Sequence, residues 1–247
     1  MTEPHANRTN VADSYTAAAE GYTEKLFHEL DGKPLDRLLL ADFARKVRSG
    51  GLTCDLGCGP GQIAAYLKTC GVWTCGIDLS PGMVTLAKQR SPEIGFECGD
   101  ILSLKHEQQY SGVAAFYSIV HFHGVQLDTA FANIFRSLEP GGVLLLAFHM
   151  GTESKHVSEL FGATVDLDFY FHVPSEIAMA LMRSGWVIDR IVERGPYPDA
   201  EYPSRRCYIE AHRPADQSDR QPTNMTRRAN FVTRFRRKAS TVLRRQS

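Results

Sequence analysis

Three carboxylates stand where an α/β sheet presents a ligand. Asp55 opens a glycine turn, Asp55-Leu56-Gly57-Cys58-Gly59-Pro60-Gly61. Asp78 closes the apolar run 73–77, and Asp100 follows Gly99 after the run 94–98. The glycines remove Cβ and open positive φ, so backbone can approach a ligand closely. A glycine turn alone admits any nucleotide-like ligand, and the spacing narrows the choice. The dinucleotide fingerprint needs Gly-x-Gly-x-x-Gly. Here the third glycine, Gly61, comes one residue early and Gln62 holds its place. The Gly-Lys-Ser/Thr ending of a phosphate loop is absent. A carboxylate at 55 suits a ligand ammonium better than a phosphate. Asp78 fits a position that accepts from both ribose hydroxyls, although it is also placed to cap the next helix. Asp100 is placed to accept from an adenine amino group, with Ile101 beside it as apolar wall and backbone donor.

S-adenosylmethionine (SAM) carries such an ammonium and no phosphate. Methyl transfer from its sulfonium is an in-line displacement, so the protein chiefly aligns the reacting atoms in a dry pocket. A general base helps only where the acceptor must lose a proton. His121, at the end of the fourth expected strand, and His149, at the end of the fifth, are the catalytic candidates, with His123 behind them. None has metal-ligand spacing, no Cys-x-x-Cys occurs among the six cysteines, and no metal is expected. Asp166 and Asp168 alternate on one face of an extended stretch, either a solvent face or a contact for a cationic acceptor. Phe169-Tyr170-Phe171-His172 and the loop 197–202 with Arg205 and Arg206 are candidate pocket walls or core packing.

These residues need a scaffold that aligns strand ends. After Ser49-Gly50-Gly51, short apolar runs alternate with helical segments. Strands are expected at 52–56, 73–77, 94–98, 113–118 and 143–148, with helices at 62–69, 80–89 and 128–138. Ser80 as N-cap and Pro81 at the first turn mark one helix start. This alternation means a doubly wound α/β fold with a mostly parallel sheet. Beyond 150, an extended segment is expected at 165–171, a helix at 174–184, and strands at 187–193 and 206–212 as an antiparallel edge addition. Ahead of the sheet, helices from 13 and at 35–47 form an N-terminal helical cap. Tyr15, Ala19, Tyr22, Leu26 and Leu30 recur there at spacings of three and four.

The 247 residues, 43% of them hydrophobic, suffice for one α/β domain with a core. The expected organisation is a disordered terminus at 1–12, one domain at 13–213 and a basic, disordered tail at 214–247. Within the domain, 13–48 is the cap, 50–150 the cofactor core, and 151–213 the substrate-side elements and last strands. Formal charge is zero overall but unevenly spread: the tail is at +7 and the rest at −7. In the tail, Phe231, Phe235, Ala239 and Val242 fall near one helical face, as in a basic amphipathic helix or a solvated tail. No apolar run of about 18 residues spans a membrane and no signal-peptide core opens the chain, so a cytoplasmic protein is expected.

Taken together, the motifs resemble those of the class I SAM-dependent methyltransferases, small-molecule branch. The glycine turn resembles that family's first motif, Gly76-Ile77-Asp78-Leu79-Ser80-Pro81-Gly82-Met83 its second, and Gly99-Asp100-Ile101 its third. Phe116-Tyr117-Ser118-Ile119-Val120-His121 resembles the fourth-strand motif, and Leu138-Glu139-Pro140-Gly141-Gly142 the turn before strand five. The resemblance implies a Rossmann-like sheet of seven strands with the last antiparallel, and SAM as cofactor with S-adenosylhomocysteine (SAH) as product. It places Asp55 and Gly57 near the methionine part and Asp78 at the ribose, and counts Cys58, Gly59 and Gln62 among the cofactor-binding residues. Leu79 and Met83 then lie against the adenine, Asp100 and Ile101 at its edge, and Ser118 beside the sulfonium. Tyr15 and Tyr22 resemble aromatic positions of an N-terminal helix that covers the cofactor, although packing explains them equally well. The expected acceptor is an N, O or C atom of a small molecule. The alternatives are an RNA or protein methyltransferase anchored by the basic tail, or a SAM-binding protein without catalysis. Oligomeric state is left open.

Overall fold

A computed structural model describes residues 8–198 and 200–215. Its core is a seven-stranded sheet with the order β3-β2-β1-β4-β5-β9-β8. The strands are β1 (Leu52–Leu56), β2 (Trp73–Asp78), β3 (Gly95–Cys98), β4 (Tyr110–Phe116), β5 (Leu138–His149), β8 (Val187–Arg194) and β9 (Arg206–His212). The first five are parallel, and β9 runs antiparallel between β5 and β8. The seven-stranded, doubly wound expectation holds. Its physical basis is visible in β4, buried at every residue, as a strand covered on both faces must be. Helices α2 (Pro34–Lys46), α3 (Gln62–Thr69), α4 (Pro81–Arg90), α5 (Val125–Ser137) and α6 (Pro174–Arg183) cover the sheet. Ser80 caps α4 by accepting from Met83 N at 3.2 Å, with Pro81 next, as its sequence signature predicts.

Of the departures from expectation, two bear on the site. The first helix, α1, spans Arg8–Leu26 and begins five residues ahead of Asp13. Tertiary contacts hold the extra turn. Arg8 grips Asp100 through two hydrogen bonds, Asn10 donates to Asp166, and Val11 packs on Val165 and Leu167. The second departure is a separate two-stranded hairpin, β6 (Ser154–Leu160) with β7 (Ala163–Tyr170). Only its second strand was foreseen. Most β6 side chains are exposed, so Ser154–Leu160 shows no apolar alternation to read. The hairpin packs on α1, and Gly21 makes this approach possible: a Cβ there would lie 2.4 Å from the Phe161 carbonyl oxygen. Asp166 and Asp168 project outward on this hairpin beside His156, which settles them as a solvent face. The basic-tail helix reading lies outside the described residues. No helix among the described residues is long and apolar enough to cross a membrane.

Candidate active site

The cavity opens at the carboxyl ends of β1, β2 and β4. Between β1 and β4 the strand order reverses, the place where open α/β sheets bind ligands. Its floor is backbone. Gly57 N donates to the Ile77 carbonyl at 2.8 Å and has φ +73°, and a Cβ there would sit 2.4 Å from Ser118 Cβ. The turns after β1 and β4 therefore meet only because position 57 is glycine. Asp78 stands on this floor. Its two oxygens accept from Gly59 N and Ser80 N, each at 2.8 Å, and burial raises its pKa above the usual carboxylate range. Leu79, Met83, Ile101 and Phe116 supply the apolar lining. The Ser118 hydroxyl is buried there with no hydrogen-bond partner among the described residues.

The roof comes from α1. Tyr15 and Tyr22 meet edge to face at 6.1 Å and both line the cavity, as do Arg8 and Val11. Tyr15 OH lies 2.8 Å from His121 Nε2, and His121 Nδ1 lies 2.8 Å from the Asp168 carbonyl oxygen. A carbonyl only accepts, so Nδ1 carries the proton and Nε2 accepts from the tyrosine. Burial, reinforced by the charge of Arg8, lowers the His121 pKa to about 4. The imidazole is neutral near pH 7 with its lone pair committed to Tyr15.

Of the expected site residues, the structure brings Tyr15, Tyr22, Gly57, Gly59, Asp78, Leu79, Met83, Ile101, Ser118 and His121 around this cavity. Five others stand off its lining, each for a local reason. Asp55 is buried under the glycine turn, where one oxygen accepts from Ala64 N at 3.0 Å near the start of α3, and burial pushes its pKa up to about 8. Cys58 turns into a small apolar cluster with Ala64 and Phe96. Gln62 donates to Glu29 at 2.9 Å. Asp100 is occupied by Arg8 and by Leu102 N, so Arg8 stands where an adenine edge was expected. His149 lies behind Tyr117, its Nδ1 2.7 Å from Ser204 Oγ. Burial together with Arg206 and Lys33 lowers its pKa to about 3. His123 stacks on Tyr170 instead.

Sequence reasoning passed over Arg8, Val11 and Tyr117 as lining residues. Tyr117 sat inside the fourth-strand motif and was available to be found. Arg8 lies in a polar stretch with no pattern to mark it. Also unforeseen is a buried ion network beside Tyr117. Glu201 bridges Arg194, Arg206 (3.0 Å) and Lys33 (3.5 Å), while Arg194 reaches Asp36 at 2.8 Å and Lys33 also pairs with Glu29. Tyr208 donates to Asp36 at 2.9 Å.

A carboxylate-bearing, glycine-floored cavity thus lies at the switch point of a seven-stranded α/β sheet. Residues 54–142 match the family model described as "Methyltransferase domain". Malonyl-[acyl-carrier protein] O-methyltransferase of Salmonella typhimurium is 28% identical over 56% of this chain and 53% of its own. Trans-aconitate 2-methyltransferase of Delftia acidovorans is 35% identical over 37% of this chain and 35% of its own. The chain thus spans about half, or less, of the length of these relatives. Magnesium protoporphyrin IX methyltransferase of Synechocystis with bound SAM superposes with a TM-score of 0.63 at 20% identity, covering 86% of this chain and all of that one. Residues 54–142 are thus similar to a methyltransferase domain, and the chain shares the fold of a solved SAM-bound methyltransferase.

Proposed function

We propose that this protein transfers a methyl group from SAM to an N, O or C atom of a small molecule. The observation that carries the reading is Asp78. Its carboxylate keeps lone pairs beyond the two that hold Gly59 N and Ser80 N, and it faces a cavity walled by Leu79, Met83 and Ile101. A carboxylate for ribose hydroxyls beside an apolar slot for a purine is the donor set SAM needs. The unpartnered Ser118 hydroxyl and the glycine floor fit its methionine end. SAM supplies an activated methyl on a good leaving group, and the chain supplies alignment and exclusion of water. The α1 roof with Tyr15 and Tyr22 provides the exclusion. In this reading Asp55 acts through the turn it holds, and Asp100 through Arg8.

The Tyr15–His121 pair sets what proton chemistry is available. Nε2 is already occupied, so a proton leaving the acceptor goes to the Tyr15 oxygen as the tyrosine proton passes to Nε2. With its pKa lowered to about 4, His121 is a weak base, adequate for holding Tyr15 and for acceptors that are already nucleophilic. A relative named for trans-aconitate supports a small-molecule acceptor. The test is incubation of the full chain with methyl-labelled SAM and a metabolite extract, followed by mass spectrometry. Label in low-mass products, lost in Asp78→Ala, is expected. Label confined to RNA or protein, or absent, overturns the reading.

A further inference from the structure

An aromatic surface leaves the cavity on the side away from Asp78. Tyr117 lines the cavity and stacks on His149 with ring centres 4.9 Å apart and planes at 32°. His149 meets Phe171 at 5.5 Å and Tyr202 at 6.2 Å, and Phe171 meets Tyr202 at 6.3 Å. These rings come from the ends of β4 and β5, the segment after β7 and the loop before β9. Chain proximity does not explain their convergence. The surface runs outward until Tyr202 is 49% exposed, while Tyr117, His149 and Phe171 are half-buried. It is held from behind and at its rim. Lys33 and Arg206 stand 5.5 and 6.0 Å from the Tyr117 ring centre, and Lys155 stands 4.9 Å from that of Tyr202.

The imidazole of His149 brings a ring nitrogen to this surface, beside the phenol groups of Tyr117 and Tyr202. His149 Nδ1 is bonded to Ser204, and Nε2 has no hydrogen-bond partner among the described residues. Burial, with the positive charges of Arg206 and Lys33, opposes protonation, so the ring remains a neutral imidazole able to bond a polar substituent at Nε2. Rings that converge beside the cavity and reach the surface at Tyr202, with one uncommitted imidazole nitrogen among them, suit stacking against a flat ring. Aromatic pairs add about 0.5–1.5 kcal/mol beyond the area they bury.

We propose that the methyl acceptor is a flat aromatic molecule with a hydrogen-bonding substituent, stacked on Tyr117, His149, Phe171 and Tyr202 with that substituent at His149 Nε2. This rests on the methyltransferase reading above. The test is saturation-transfer NMR on the full chain saturated with SAH. The probes are matched pairs: phenol and cyclohexanol, aniline and cyclohexylamine, 1-naphthol and decahydro-1-naphthol. The aromatic member of each pair should bind about fivefold to tenfold more tightly, as the stacking energy implies. Tyr202→Leu and, separately, Phe171→Leu should abolish that preference while SAH affinity stays within about twofold of wild type. Equal binding of the saturated partners, no binding by any probe, or a preference that survives both substitutions overturns the proposal. Failure to bind SAH in the same samples counts against the methyltransferase reading instead.

Discussion

The two sides of the cavity are built from different materials. On the Asp78 side the contacts are backbone: Gly57 N on Ile77, Gly59 N and Ser80 N on one carboxylate, all within short turns after β1 and β2. On the Tyr117 side the supports are long side chains. Lys33, Asp36, Arg194, Glu201 and Arg206 reach across the fold to one another, all five buried to below 10% side-chain exposure. Backbone turns fix geometry within a few residues of chain, here through glycine at 57 and the Asp78 carboxylate. A buried ion network is costly to desolvate and fixes geometry only while every member is present. The first arrangement suits an invariant ligand. The second suits a wall that positions rings.

The largest expected effect falls on the second side. Glu201→Gln leaves Arg194, Arg206 and Lys33 with one fewer buried anion and should cost about 3–5 kcal/mol of stability in urea unfolding. SAH affinity of the folded fraction should stay within about threefold, because no member of the Asp78 turn touches Glu201. An equal loss of SAH affinity would mean that the two sides are one unit.

Gly57→Ala tests the first side. A positive φ and a Cβ 2.4 Å from Ser118 Cβ should cost about 1–3 kcal/mol in strain, seen as a lower urea midpoint. SAH binding should be lost as the β1 and β4 turns are forced apart. Retained SAH affinity would show that close approach of these turns is not what shapes the floor.

These two substitutions also mark what the sequence made legible. Asp78, Gly57 and Ser118 were found because each sits at a strand end, fixed by its own neighbours. The network was not found because its contacts are long-range: Asp36 and Tyr208 are 172 residues apart, Lys33 and Glu201 nearly as far. Nothing in local spacing announces such a pair. Asp55 and Asp100 were legible as acids at strand ends, but not as groups already taken by Ala64 N and Arg8. The hairpin was half legible because exposed β6 lacks alternation, while Val165 and Leu167 on β7 are buried against α1.

The pH dependence sharpens the comparison with a smaller effect. His121 and His149 have folded pKa values lowered to about 4 and about 3 by burial. The unfolded chain takes up those protons near pH 6.5, so their contribution is complete above 6.5 and is lost as pH falls toward the folded values. The slope approaches 1.4 kcal/mol per pH unit for each histidine. Asp55, raised to about 8, has the opposite sign: its contribution falls as pH rises from about 4 to 8, so it partly offsets the histidines in wild type. Urea unfolding of His149→Asn beside wild type from pH 7 to 5 isolates one histidine, and the difference should narrow by about 1 kcal/mol or more. A constant difference would mean that His149 is solvated and protonates freely.

The most direct test of the account is calorimetric titration of the full chain with SAH, with Asp78→Ala and NAD as comparisons. One site per chain is expected, with no uptake of NAD. The variant should bind at least about a hundredfold more weakly, since two hydrogen bonds to a charged acceptor are worth about 1.5–3 kcal/mol each. Binding of NAD without SAH, or SAH affinity unchanged by Asp78→Ala, would contradict it.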